Sequence, residues 1–181
     1  MAVLNAFDSY FFYLINKNCS NKFFDILMPL LSQLGTWEIL FVFVFIFVIF
    51  KKKEARRLGV LLLAGLFVSC LSVSILKIWI ARPRPFLVLP NVNLLVQAKG
   101  FSFPSGHAVN TFVVATLLFI FSKKFYYIYI VACSVALSRI YLGVHFPSDV
   151  MAGALIGVAL GYLIMRIAEL FLSCSQGKKA V

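Results

Sequence analysis

The charged residues of this chain stand almost entirely at the ends of long apolar runs, and that pattern leaves few folds open to it. From Ile39 to Phe50 no polar residue intervenes; Trp37 and Glu38 close one end and Lys51 to Lys53 the other. Comparable stretches run over about 58–80, 105–121, 125–142 and 148–172. A helix needs about 20 apolar residues to cross a bilayer, and flanking Trp and Lys can complete a slightly short run by sitting at the interface. Hydrophobic residues make up 62% of the 181 positions and charged residues 13%, and the mean hydropathy is +1.00. Soluble domains carry about a quarter charged residues, so a soluble fold is excluded. The pattern predicts an all-α integral membrane bundle, a single domain over 1–181 with about five transmembrane helices. Residues 1–34 are apolar but interrupted. Phe7, Tyr10, Phe11 and Leu14 recur at helical spacing, with Asn5, Asp8 and Lys17 elsewhere, and a second segment over 23–34 carries Asp25 and Pro29. This opening reads as one or two interfacial helices. It lacks the basic stretch, long apolar core and small-residue cleavage site of a removable leader.

The formal charge of +11 suggests nucleic acid only until the cations are placed. Lys51, Lys52, Lys53, Arg56, Arg57, Lys123, Lys124, Lys178 and Lys179 all fall on one side of a five-span bundle, which the positive-inside rule assigns to the cytoplasm. The N-terminus, the 82–104 connection and the 142–148 turn then lie on the opposite face. The connection is unusually apolar (Leu87, Val88, Leu89, Leu94, Leu95, Val96) with Pro90 and Gly100 as breakers, and is expected to lie on the membrane surface. Cys19, Cys70, Cys133 and Cys174 have no metal-ligand or disulfide spacing and read as small packing residues. Gly153, Gly157 and Gly161 make a small-residue face for packing inside the bundle, and Tyr126, Tyr127 and Tyr129 an aromatic belt.

Three short stretches carry chemistry, and the span assignment brings them to the same non-cytoplasmic face. The first runs from Lys77 to Arg84-Pro85. A cation at the end of an apolar helix is costly unless it snorkels or serves a function. Lys77, Arg84 and Arg139 together suit a phosphate, with planar guanidinium forks and one point charge. Arg82 is a further cation, read as a rim charge or a guide for the approaching phosphate. The second stretch, Pro104-Ser105-Gly106-His107, opens a helix. Free N–H groups and the positive dipole end make such a terminus an anion site, and Gly106 permits close approach of an oxyanion. The third joins Ser138-Arg139 to His145 and Asp149. A spacing of four places the imidazole and carboxylate on one helical face if the helix starts early, with Pro147 in its first turn. The carboxylate then orients one ring nitrogen and leaves the other free to attack.

In order and spacing, Lys-x6-Arg-Pro, Pro-Ser-Gly-His and Ser-Arg-x5-His-x3-Asp resemble the type 2 phosphatidic acid phosphatase (PAP2) superfamily, which also includes vanadium haloperoxidases and bacterial acid phosphatases. The motifs cover 77–149, and each fixed position is met. The resemblance implies that His145 is the nucleophile that forms a phosphohistidine, that Asp149 orients it and that His107 is the general acid. It implies that Lys77, Arg84, Ser105, Gly106 and Arg139 hold the phosphate, with no metal or other cofactor.

The substrate is then expected to be a lipid phosphate in the bilayer, met at the periplasmic face of a bacterial inner membrane. The compact chain is similar to small bacterial members, which include lipid A 1-phosphatases, and lipid A 1-phosphate is the first expectation. Phosphatidylglycerophosphate, undecaprenyl diphosphate and phosphatidic acid are the alternatives. From another class, an anion transporter or channel would also place Lys and Arg in a membrane, but no inverted repeat is visible and the cations sit at one face. A peroxidase using the same pocket is disfavoured because the haloperoxidases resemble soluble proteins.

Overall fold

The computed structural model describes residues 2–177, and among them there are helices and turns but no strand. The basic tail at Lys178 and Lys179, and the side chain of Cys174, lie outside the described residues. In chain order the elements are α1 (Ala2–Tyr13), continuing into a wider π-helical turn over Leu14–Asn18, then α2 (Lys22–Gln33), α3 (Trp37–Ile49) and α4 (Lys53–Ile80). After these come the single turn α5 (Pro85–Val88), α6 (Gly106–Phe121), a 3-10 turn over Lys123–Tyr127, α7 (Ile128–Tyr141) and α8 (Pro147–Gly177).

α6 is the axis of the bundle. Its residues from Ala108 to Leu118 are buried almost without interruption apart from Asn110. On one side Val109, Val113, Leu117 and Leu118 pack with Leu40 and Val44 of α3, Leu58 and Leu62 of α4 and Met165 of α8. On another, Ala108, Phe112 and Ala115 meet Phe12 of α1 and Ala132, Ala136 and Ile140 of α7. The glycine row of α8 lies against α6 inside the bundle. A Cβ added at Gly157 would stand 2.6 Å from the Val109 carbonyl oxygen, and one at Gly153 2.8 Å from that of Ser105. The two backbones can approach this closely only because those side chains are absent.

Helix length separates the five apolar segments. α8 and the α4–α5 segment Lys53–Val88 are long and apolar enough to cross a membrane, and α2 with α3 forms a third candidate, bent by 51°. α6 has 16 residues, about 24 Å at 1.5 Å per residue, against a hydrocarbon core of about 30 Å. Wrapped by its neighbours, it is shielded from lipid over most of its surface and need not match the bilayer by itself. α7, with 14 residues, is shorter still.

The N-terminal opening differs from the expected interfacial helix in the direction its polar residues face. Asp8 and Asn16 are fully buried, whereas Tyr10 is 66% exposed and Phe7, Phe11 and Leu14 also point outward. Asn16 donates to the carbonyls of Asn93 and Tyr141 and accepts from the Asn93 N–H, and the Tyr13 hydroxyl donates to the Pro90 carbonyl. The polar groups therefore tie this segment to the protein, with Phe12 packed in the core and Phe7, Tyr10 and Phe11 facing out. The 86–103 connection is likewise folded inward in part. Phe86, Leu95, Val96 and Ala98 pack on Met28, Tyr141, Leu142 and Val144, and Leu87, Val88 and Leu94 stay exposed. Cys19, Cys70 and Cys133 are free thiols on the surface of the bundle, where small size rather than burial suits them. Tyr129 hydrogen-bonds Thr116 at 2.9 Å and packs on Phe112 and Phe119, which leaves Tyr126 and Tyr127 on the surface.

Gly157→Ala is expected to lower stability by about 1–3 kcal/mol, the usual cost of overpacking a tight core. Thermal unfolding in detergent checks this; a variant as stable as the parent would mean that α6 and α8 are not held at this distance.

Candidate active site

α4 stops at Ala81, whose φ of +49° puts an alanine in the left-handed region that glycine favours. Its N–H still reaches the Lys77 carbonyl, and the turn sends Arg82 and Arg84 toward the bundle. α6 begins beside them. Ser105 caps it without a side-chain bond, and the Ser105 N–H donates to the Asp149 carbonyl at 3.1 Å, joining the starts of α6 and α8. Gly143, at φ +81°, turns the chain between α7 and α8 and lies so close to the Asn93 carbonyl that a Cβ would stand 2.8 Å from it. Two chain reversals and two helix starts thus gather all three motifs at one end of the bundle. Arg57, Glu54, Phe121 and Glu169 border one cleft at the other end.

Each residue singled out in the sequence has a definite place. His145 lies just before α8 rather than on it, and is 2% exposed. Its Nδ1 is 3.7 Å from Asp149 Oδ2, longer than a hydrogen bond, and 3.4 Å from Ser102 Oγ. Its Nε2 faces Arg84 Nη1 at 3.4 Å. The Asp149 carboxylate is fully buried; Oδ2 accepts from Ser102 Oγ at 2.5 Å and from the Phe146 N–H at 2.9 Å. The latter bond satisfies one donor at the helix start, half of a capping box. Arg84 donates to the carbonyls of Lys99, Gly100 and Val144, each at 2.9 Å. Lys77 donates to the Phe101 carbonyl and Arg139 to Ser32 Oγ. Lys77, Gly106 and His107 stand at one end of a cleft of about 650 Å³ whose remaining walls include Phe41, Leu63, Leu66, Phe67 and Val73.

Sequence reasoning missed three participants. Ser102 binds Asp149 from within the 86–103 connection, Ser32 holds Arg139 from α2, and Asp8 reaches the site from α1 through Arg82. Arg82 is not a rim charge: its side chain is 19% exposed and bonded to both Asp8 and Asp149. A serine between two motif residues offered a faint signal for Ser102. Nothing local pointed to Asp8 or Ser32.

The electrostatics divide the cations into two groups. Arg82 has two carboxylates, whereas Lys77, Arg84 and Arg139 touch only neutral oxygens and the His145 ring and have no carboxylate in salt-bridge range among the described residues. Among the described residues, two buried side-chain atoms lack any hydrogen-bond partner, Ser105 Oγ and Arg139 Nε. Buried polar groups are rarely left so, and both belong to the motif residues. Among the described residues no three of His, Cys, Asp and Glu group closely enough to share a metal ion.

A family model described as the PAP2 superfamily matches residues 55–172. The chain belongs to the PAP2 superfamily. Among curated relatives, an undecaprenyl-diphosphatase of Sulfolobus acidocaldarius is 33% identical over 78% of this chain and 69% of its own length. A lipid A 4′-phosphatase of Porphyromonas gingivalis is 33% identical over 76% of this chain and 63% of its own. The crystal structure of Aquifex aeolicus LpxE superposes with a TM-score of 0.77 at 32% identity, covering 88% of this chain and 94% of that one. The first of the curated relatives are longer than their matched parts, which span 38% to 69% of their lengths. This PAP2 member is membrane-embedded, all-helical and built around the described α6 axis.

Burial above all, with Arg139 and Arg84 adding to it and Asp149 opposing, pulls the His145 imidazole from its ordinary 6.5 down to about 3. Protonation of the folded state is therefore disfavoured, and the ring stays neutral above that value. ¹⁵N-histidine NMR in micelles, with His107→Gln to remove the second histidine, is expected to find His145 neutral at pH 5. A titration midpoint near 6.5 would contradict the buried, cation-lined setting.

Proposed function

We propose that this protein hydrolyses the phosphate monoester or diphosphate of a membrane lipid through a phosphohistidine. The observation that carries the reading is the pair of unpartnered buried groups, Ser105 Oγ and Arg139 Nε, together with three cations, Lys77, Arg84 and Arg139, that form no ion pair among the described residues. A phosphate bound against the first N–H groups of α6 supplies what each of them lacks: negative charge and several acceptor oxygens. Lys77, Arg84, Ser105, Gly106 and Arg139 are assigned to hold it. The lone pair of His145 Nε2 attacks phosphorus as the ester or anhydride bond breaks, and His107 gives its proton to the departing oxygen. Asp149 orients the attacking ring. In the second half, His107 takes a proton from water, whose oxygen attacks phosphorus and releases His145 and inorganic phosphate. The donor set here is cationic and neutral, and the one carboxylate of the motifs is already bonded to Arg82, Ser102 and the Phe146 N–H, which favours a metal-free route.

The apolar cleft between α3, α4 and α6 opens onto Lys77 and His107, so an acyl or prenyl chain can lie there while its phosphate meets the cations. The 86–103 connection, partly packed inward, offers less of a wall for such a chain. Lipid A 1-phosphate remains the first substrate assigned, and a lipid A 4′-phosphatase among the relatives supports a lipid A substrate. Undecaprenyl diphosphate comes next, on the strength of the undecaprenyl-diphosphatase relative. The site end is placed at the periplasmic face of a bacterial inner membrane because Lys51–Lys53, Arg56, Arg57, Lys123 and Lys124 mark the opposite end as cytoplasmic.

Phosphate release from a lipid panel in detergent tests the reading. Turnover is expected to survive EDTA and to vanish in His145→Ala. His107→Ala is expected to lose roughly 10²- to 10⁴-fold on lipid substrates, and much less on an activated aryl phosphate, whose leaving group needs little protonation. Full activity in His145→Ala, or activity lost to EDTA and restored by magnesium, would overturn it.

A further inference from the structure

Asp149 is held by more than its own helix. Its Oδ1 accepts from Arg82 Nη1 at 2.6 Å, and Arg82 Nη2 donates to Asp8 Oδ2 at 2.5 Å. Asp8, 140 residues away in sequence from Ser148, accepts from the Ser148 N–H at 2.9 Å and from its hydroxyl at 2.5 Å. The Ser148 hydroxyl in turn accepts from Arg82 Nη1 at 2.7 Å. The guanidinium lies over the Phe146 ring, 4.2 Å from its centre. One planar fork thus spans two buried carboxylates, one from α1 and one from α8. An ammonium of similar reach carries a single point and cannot bridge them in the same way.

We propose that Asp8 and Arg82 are positioning residues for the phosphatase reaction, a clamp through which helix α1 fixes the Asp149 carboxylate against His145. The inference rests on the phosphatase reading above. Without the clamp, Asp149 retains only Ser102 and the Phe146 N–H on its other oxygen, and its carboxylate plane can rotate about that edge. Oδ2 and His145 Nδ1 stand 3.7 Å apart, outside the about 2.6–3.2 Å over which orienting bonds act, so the pair must close when substrate binds and any rotation of the carboxylate away from the ring opposes that closure. The competing role, a cation for the incoming phosphate, is disfavoured because both terminal nitrogens are committed to carboxylates whereas Lys77, Arg84 and Arg139 are not. Asp8 cannot bind a phosphate at all, yet it shares the clamp, so the two roles separate experimentally.

The variants are Asp8→Asn, Asp8→Glu, Arg82→Lys and the double variant Asp8→Asn/Arg82→Lys. All are assayed in detergent by phosphate release and by inhibition with inorganic phosphate, after wild-type turnover has been checked against His145→Ala. That control separates a failure of the phosphatase reading from a failure of this one. Asp8→Asn and Arg82→Lys are each expected to lower kcat by roughly 10- to 100-fold, the usual scale for groups that orient a functional ligand from behind. KM and the inhibition by inorganic phosphate are expected to hold at wild-type values. Asp8→Glu is expected to recover part of the lost kcat. The double variant is expected to be no slower than the slower single one, because both break the same clamp. Wild-type kcat in Asp8→Asn would overturn the proposal. So would an Arg82→Lys variant whose KM rises and whose phosphate inhibition weakens at unchanged kcat, or losses that multiply in the double variant.

Discussion

A carboxylate with no access to water is tolerated only when every oxygen is paired, and Asp149 is where this chain meets that constraint. Its partners come from four parts of the sequence: Arg82 after α4, Ser102 in the long connection, the Phe146 N–H at the α8 start, and Asp8 through Arg82. Satisfying one buried group therefore fixes where α1, α4, the connection and α8 meet. The Ser105 N–H on the Asp149 carbonyl adds the start of α6 to the same point. Everything proposed for the site depends on this junction, since it places His145 between Arg84 and Asp149.

The rest of the bundle serves the junction by rigid packing. The α6 and α8 backbones touch along the glycine row, so a helix start at Ser105 and another at Pro147 are held in fixed register. α2 reaches the site from the other side, through Ser32 on Arg139 and Asp25 on the Tyr141 hydroxyl at 2.6 Å. The charge balance follows from the same geometry. Arg82 is matched by two carboxylates, while Lys77, Arg84 and Arg139 form no ion pair among the described residues, so the end of the bundle that gathers the motifs carries an excess of positive charge. A phosphate group has enough oxygens to use three cations and a helix start together.

The helical membrane class and the gathering of the motifs were legible in the sequence because they rest on local patterns. Apolar run length, the glycine row, Pro147 in a first turn and the family motifs each need only a few neighbouring residues. What was not legible rests on distant pairing. Asp8 sits among Phe7, Tyr10 and Phe11, and an interfacial helix puts such a carboxylate in water and the rings against the bilayer. The rings do face outward, but Asp8 turns into the bundle, because Arg82 and Ser148 wait for it there. Arg82 lies between Pro83 and Ala81 with no carboxylate nearby in sequence, so its two partners could not be read. α6 is shorter than a span for a related reason: a helix sheathed by others answers to its neighbours and not to bilayer thickness.

The central claim is that His145, held by this junction, makes the covalent bond to phosphorus. Turnover of a ³²P-labelled lipid phosphate, quenched rapidly in alkaline detergent and mapped by peptide, tests it most directly. The account predicts base-stable, acid-labile label on the peptide carrying His145, reduced in amount by unlabelled inorganic phosphate. Label on another side chain, or steady turnover with no label on any peptide under conditions that preserve phosphohistidine, would contradict it.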